Sequence, residues 1–495
     1  MPGSISTAPE APRAQAPATP HPRRWLVLAV IAISQLMVVL DATIVNIALP
    51  EAQADLGISD ADRQWVVTAY TLTFGGLLLL GGRIADYWGR KRTFLVGMVG
   101  FALASAVGGL ATTGELLFAA RALQGAFGAL LAPAALALLT VLFTEPKERA
   151  KAFAVYGAIA GGGSAVGLVL GGVLTQYIDW RWCLLVNIPI AAVALFAAIP
   201  LVPESRAHGD TRYDIPGAVV VTAGLVSLVY GFTRAAEDGW DASATIGFIA
   251  AGVVLLAAFV VIELRSSHPL LPLRILLDRN RGGAYLASTL IGAGLFGAFL
   301  FLTFYFQQTL GYTPVEAGLA SLPITVGVLI SAGAASQLLP RVGAKPLMVA
   351  GAALAAAAML ALTQIDVDSS FVAHLLPAQV VLGLGLGFTF VPLSSLALVG
   401  VPEHDAGAAS ATLNATQQIG GSLGTALLNT FFTSAVTAYL AGRIPGPTTV
   451  AQATIHGYSV AFAWGAALIL VAGLATMLLI KVRKEDLATG AVHMG

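Results

Sequence analysis

Apolar residues in this chain come in long unbroken runs instead of the three- or four-residue stripe of a helix that faces water on one side. Runs of about twenty such residues suffice to cross the hydrocarbon layer of a bilayer as a helix. Fourteen are predicted, near 25–49, 64–82, 93–113, 116–143, 152–177, 182–202, 215–233, 242–262, 282–306, 317–339, 346–365, 371–399, 407–440 and 458–480. The seventh and eighth hold 19 and 21 residues between the flanking charges Asp214, Arg234, Asp241 and Glu263, which favours fourteen spans over twelve. The pattern predicts an all-α polytopic membrane protein.

Composition agrees. Of 495 residues 57% are hydrophobic and 11% charged, against about 25% charged in soluble domains. Net charge is zero, so nothing in the balance attracts nucleic acid. The single cysteine, Cys183, excludes an intramolecular disulfide and a cysteine-built metal site. Residues 1–24 are proline- and alanine-rich and read as a disordered tail, and the first apolar run is too long for a cleaved signal.

Positive charge sets the expected orientation, because lysine and arginine gather on the cytoplasmic side. With the N-terminus inside, 21 of the 26 basic residues fall in inner segments and four (Arg63, Arg181, Arg234, Arg443) in outer loops. Both termini are then cytoplasmic. The stretch 264–281 mixes leucines with Arg265, Arg274, Arg279 and Arg281 and suits an amphipathic segment lying in the inner headgroup layer, or an ordinary loop.

The chain also repeats itself. GGRIADYWGRKR (81–92) follows the second span and SQLLPRVGAKP (336–346) the tenth. A shift of 254 residues places Gly89 on Gly343 and Lys91 on Lys345. The same shift brings the first span onto the ninth and the glycine-rich fifth onto the thirteenth, where Gly420, Gly421 and Gly424 lie. Two six-helix bundles with two inserted central helices follow, an arrangement used by transporters that rock one bundle against the other. The expected divisions are a tail (1–24), an N-terminal bundle (25–203), inserted helices with linker and interfacial segment (204–281), a C-terminal bundle (282–481) and a second tail (482–495).

Two charges break the apolar runs, and a charge at the centre of a membrane helix costs about 2.5–3.5 kcal/mol. Asp41 lies eight residues before Leu49, about 12 Å from the outer end of its span, and Arg121 about 8 Å deep in the fourth. Their depths permit a pair. Burial favours a neutral carboxyl and a nearby cation an ionised one, so a proton switch and a permanent ion pair are both open. Thr43 and Asn46 are expected to orient the carboxylate. In the fifth span Gly163, Gly167 and Gly171 recur every fourth residue, leaving one face bare for a partner helix. Gly82 and Gly89 are expected to permit close helix approach and a tight turn. Polar residues in or beside spans (Gln124, Tyr305, Gln307, Gln308, Asn414, Gln417, Gln418) line a cavity or bond to neighbouring helices. Phe299, Phe301, Phe304 and Phe306 offer aromatic contacts to a flat solute, with at least half expected to face lipid.

The segments LDATIVNIALP (40–50), GGRIADYWGRKR (81–92), RALQGAFGA (121–129), GLVLGGVL (167–174), WRWCLLVNIP (180–189) and GAASATLNATQQIGGSLGTA (407–426) resemble signature motifs of the major facilitator superfamily. The resemblance spans nearly the whole chain and is closest to the fourteen-helix drug:proton antiporters. It implies the major facilitator fold and proton-driven export of small lipophilic compounds across a bacterial cytoplasmic membrane. It assigns proton coupling to Asp41 and Arg121, and a latch for the outward-open state to the loop with Gly82, Asp86, Gly89, Arg90 and Lys91. The repeat copy has Pro340 in place of Asp86, so such a latch is asymmetric. The resemblance also assigns a seal of the bundle interface to Gly163, Gly167, Gly171 and Gly172, although Leu168 stands where the family usually has proline.

Rival classes fare worse. The seven histidines (21, 208, 268, 374, 404, 456, 493) fall in tails, loops or span ends without ligand spacing, and no GxxxxGK[ST] motif is present. The expectation is therefore a transporter and not an enzyme, with no cofactor and no metal, working on a lipophilic small molecule and protons as a monomer in the bilayer. A proton-coupled symporter of a small organic solute is the alternative, since a fold does not fix the direction of transport.

Overall fold

The computed structural model describes residues 23–482 apart from 144, 207–213, 267–268, 270–272, 400, 402–405 and 445. The expected tails and part of the 264–281 stretch lie outside the described residues. The visible part of that stretch includes a single helical turn, Leu273–Leu276.

Fourteen long helices follow one another: α1 (Arg24–Leu56), α2 (Trp65–Trp88), α3 (Arg90–Gly109), α4 (Gly114–Leu142), α5 (Pro146–Tyr177), α6 (Trp182–Leu201), α7 (Ile215–Asp238) and α8 (Ser243–Arg265). Then come α9 (Arg279–Thr309), α10 (Pro314–Val342), α11 (Ala344–Leu362), α12 (Phe371–Ala397), α13 (Ala406–Leu440) and α14 (Pro447–Leu479). Thirteen are long and apolar enough to cross a membrane on their described residues, and α5 is a 32-residue helix. An even number of long helices brings the start of α1 and the end of α14, the described termini, to one end. The last helix starts at Pro447, well before the expected 458: the polar run 447–457 continues the helix from a proline in its first turn.

Local chemistry marks the ends. The Thr113 hydroxyl accepts from Leu116 N at the start of α4. Thr313 and Glu316 form a capping box opening α10. Gly89 (φ 120°) and Gly343 (φ 90°) turn the chain between α2 and α3 and between α10 and α11, so the repeat seen in the sequence recurs as a backbone feature.

Helices α1 to α6 pack together as one bundle and α9 to α14 as the other, while α7 and α8 pair with each other and α7 leans on α2 and α13. Contacts between the bundles gather at the end remote from the termini. There Gln307 Nε2 donates to the Ile47 carbonyl (2.8 Å), Val315 N to Gln176 Oε1 (3.2 Å) and Ser422 Oγ to the Thr68 carbonyl (3.2 Å). Phe301, Phe304 and Phe306 are fully buried in the C-terminal core. The lipid-facing role expected for at least half of the four phenylalanines is therefore wrong, because three are inside: Phe301 stacks on Phe432 and meets Tyr458 edge-on, and Phe306 stacks on Tyr312.

Candidate functional site

Asp41 on α1 and Arg121 on α4 meet inside the N-terminal bundle. Arg121 Nη1 donates to Asp41 Oδ2 at 2.6 Å, with both side chains almost completely excluded from solvent. The other carboxylate oxygen, Oδ1, accepts from Gln124 Nε2 (2.8 Å) and Asn187 Nδ2 (2.8 Å). Arg121 also donates from Nε to the Val66 carbonyl (2.9 Å) and from Nη1 to Gln124 Oε1 (2.8 Å), and its guanidinium lies 4.4 Å from the Tyr70 ring centre. Ser105 Oγ accepts from both Gln124 Nε2 and Asn187 Nδ2. The cluster draws on five helices, α1, α2, α3, α4 and α6.

Such a pair is held by its hydrogen bonds as much as by its charges. Taking two ions out of water costs several kcal/mol each, and removal of one partner leaves the other charged and buried, at about 3–5 kcal/mol. Here each carboxylate oxygen has a charged or amide donor. A proton arriving at Asp41 has to compete with Arg121 for Oδ2, so the arrangement is capable of exchanging a guanidinium contact for a proton if the helices part.

The sequence located the two charges and missed most of their partners. Gln124, expected in a solute cavity, is fully buried in the ion-pair cluster. Thr43 and Asn46 do not orient the carboxylate: Thr43 Oγ1 donates to the Val39 and Leu40 carbonyls (2.9 and 3.1 Å) and Asn46 Nδ2 to that of Ala42 (3.0 Å). The reason is angular, since positions two and five residues beyond Asp41 are turned about 200° and 140° around the helix axis. Asn187, within the motif at 180–189, takes that role instead. Its signal was an amide inside an apolar run; Ser105 and Tyr70 carried none.

Among the remaining cavity candidates, Tyr305 is wrong: it is fully buried, its hydroxyl donates to the Asp366 carbonyl (2.6 Å), and its ring packs against Tyr458. Gln308 and Asn414 are exposed and Gln417 half-buried. Asn414 Nδ2 donates to the Ser410 carbonyl of its own helix (3.1 Å).

The basic loop closes on its own half. Arg90 grips Asp86 Oδ1 through Nη2 (2.7 Å) and Nε (3.1 Å), and Lys91 Nζ donates to the Ile199 carbonyl (2.7 Å). Arg90 N donates to the Ser205 carbonyl at 2.9 Å. Gly89 is required by its positive φ. The close helix approach expected at Gly82 occurs one residue earlier: a Cβ on Gly81 would strike the Ala129 carbonyl, whereas one on Gly82 would meet only Pro133 Cβ at 3.6 Å.

The glycine face of α5 lies on the helix that carries Asp41. A Cβ at Gly163 would meet Val39 Cγ1 at 3.1 Å, one at Gly167 would strike Thr43, and one at Gly171 would meet the Ile44 carbonyl at 2.9 Å. Gly172 turns to the other bundle, where its Cβ would be 2.5 Å from the Pro314 carbonyl. Leu168 is buried, and its carbonyl is approached by Gly318 of α10.

Comparison with known proteins agrees with this architecture. Residues 31–425 match the Major Facilitator Superfamily. The chain is 50% identical over 469 residues to the puromycin resistance protein pur8 of Streptomyces alboniger, covering 94% of this chain and 93% of that protein. It is 42% identical over 409 residues to the cephamycin export protein CmcT of Amycolatopsis lactamdurans, covering 82% and 84%. The crystal structure of a bacterial homologue of the human lysosomal transporter Spinster, inward-facing and unoccupied, superposes with a TM-score of 0.65 at 15% identity over 95% of this chain and 98% of that one, a likeness of fold.

Proposed function

The chain belongs to the Major Facilitator Superfamily, a family of multi-pass membrane transporters and not enzymes, and we propose that it exports small lipophilic compounds of the antibiotic class in exchange for protons. Asp41 is the proton site and Arg121 its modulator. The observation that carries this reading is the buried Asp41–Arg121 pair, whose carboxylate oxygens are all occupied while the bundles meet at the end remote from the termini. Movement of one bundle against the other that separates Arg121 from Asp41 frees Oδ2 for a proton. Return of the guanidinium expels it. Relatives that resist or export puromycin and cephamycin support a cargo of that class.

On this reading both termini are cytoplasmic in a bacterial cell, since basic residues gather on that side, and one chain, containing both bundles, works as a monomer in the lipid bilayer. The loop of Asp86, Arg90 and Lys91 acts as the latch of the opposite conformation, its charges here paired within the N-terminal half. The glycine face of α5 holds α1, and with it Asp41, at a fixed distance from the bundle interface. Each charge moved inward gains about 2.3 kcal/mol per 100 mV. One proton then sustains an export gradient on the order of tens-fold to a few hundred-fold.

The test uses inverted vesicles energised to an acidic interior, with puromycin, cephamycin and lipophilic cations added in turn. Proton release on addition of a compound, lost in Asp41→Asn with the protein still inserted, is the expected result. Full gradient-driven transport in Asp41→Asn would remove Asp41 from the mechanism. Loss of preloaded compound from the vesicles together with the outward proton flow would reverse the direction in favour of a symporter.

A further inference from the structure

An arginine taken from sequence as an outer-loop charge is among the most deeply buried side chains of the molecule. Arg63 sits in the turn between α1 and α2, at the end remote from the termini, and is 1% exposed. It reaches across into the C-terminal bundle. Its guanidinium carbon lies 4.0 Å from the Phe304 ring centre and 4.8 Å from that of Phe432, and Tyr458 backs the site with its ring 5.1 Å from Phe432. Polar contacts are thin. Nε donates to Asn429 Oδ1 and Nη1 to Asp60 Oδ1, both at 3.3 Å, and Nη2 is buried without a hydrogen-bond partner. Asn429 Nδ2 ties the same turn down by donating to the carbonyls of Asp60 (2.8 Å) and Ala61 (3.3 Å).

Burial draws the guanidinium pKa below its ordinary value, with Tyr458 and Asp60 opposing, yet arginine stays protonated in proteins. Among the described residues the carboxylate that touches it, Asp60, has a side chain 63% exposed. The aromatic faces therefore carry much of the solvation of the charge, and cation–π attraction is strongest at desolvated sites of this kind. A permanently fused interface would be served as well by a leucine. An arginine differs in being stable on both sides of an opening: caged when the halves meet, hydrated when they part.

We propose that Arg63 is a tethered cation seated in an aromatic cage of the C-terminal half, which holds this end of the transporter shut, and that the cage takes a soft organic cation of the alkylguanidinium type when Arg63 is withdrawn. The inference rests on the alternating-access reading above, but its test does not depend on cargo or protons. Spin labels on Ala54→Cys and Asp368→Cys, exposed on opposite halves at this end, report the separation in liposome-reconstituted full-length protein; the native Cys183 is buried. Arg63→Ala is expected to shift the closed-to-open ratio at least ~10-fold toward the longer distance. Millimolar ethylguanidinium is expected to restore the short distance in Arg63→Ala and not in Arg63→Ala/Phe432→Ala. In the unsubstituted protein, where Arg63 already fills the cage, the same cation is expected to leave the distance unchanged. Arg63→Gln serves should the alanine variant not fold. An unchanged distance in the Arg63 variants, or restoration that survives loss of Phe432, overturns the proposal. Failure of the vesicle assay with these distances intact would instead count against proton-coupled export.

Discussion

The two halves join corresponding helices and put different contents beside the joint. In the N-terminal bundle α1 packs on α5; in the C-terminal bundle α9 packs on α13. Glycines close both crossings, Gly167 and Gly171 against Thr43 and Ile44 in one, Gly420 and Gly424 against Thr289 and Ala293 in the other. Yet α1 carries Asp41, while the position 254 residues on is Leu295, in a core of Phe301, Phe304 and Phe306. Backbone contact at a helix crossing asks for small residues and is indifferent to what stands around the corner. Chemistry therefore occupies one copy of a duplicated scaffold, and the other copy becomes an apolar and aromatic surface. Arg63 joins the two, a charge of the polar half resting on the rings of the aromatic half.

Asp41→Asn should give the largest contrast. It is expected to abolish compound-induced proton release in vesicles, whereas Leu295→Met, a volume-conserving change at the matching position, should leave release intact. Equal loss in both would dissolve the distinction between the halves. Next in size is the ion pair itself. Arg121→Gln alone is expected to destabilise by about 3–5 kcal/mol, while Asp41→Asn/Arg121→Gln recovers much of that, since no lone charge remains buried. Thermal unfolding in detergent, run as a double-mutant cycle, measures the coupling, and additive effects would mean that the contact contributes nothing.

Smaller effects sharpen the comparison at the crossings. Gly424→Ala drives its methyl into the Ala293 backbone and should cost about 1–3 kcal/mol by overpacking. Gly163→Ala meets a movable Val39 methyl at 3.1 Å and should cost less than about 1 kcal/mol. The ranking of unfolding temperatures reads this directly. Between these two falls the pair of turn glycines: Gly89→Ala and Gly343→Ala each strain a positive φ by of order 1 kcal/mol. Gly89→Ala should be the worse, because its methyl would lie 2.6 Å from Glu204 Oε1.

How much of this was legible beforehand varied with the range of the interaction concerned. The fourteen helices were readable because apolar length is written within each segment. Asp41 and Arg121 stood out for the same reason, a charge being conspicuous in an apolar run. Gln124 was seen but placed in a cavity, because its distance to Asp41 is set by how α1 and α4 cross. Gly81 and Gly82 look alike in sequence until a neighbouring helix shows which one it touches. Arg63 was read as an ordinary loop charge, since the rings that bury it lie more than 200 residues away in sequence.

The sequence by itself determined how many times the chain crosses, where its charges fall along each crossing, and that the unit is doubled. Hydropathy and spacing are properties of a single segment, and the bilayer imposes the same length on each. Only the tertiary structure decided that Asn187 and Ser105 complete the Asp41 cluster, that Thr43 and Asn46 turn away from it, and that Arg63 enters the opposite half. Rotation and tilt of a membrane helix are settled by packing against its neighbours, and those neighbours come from distant parts of the chain.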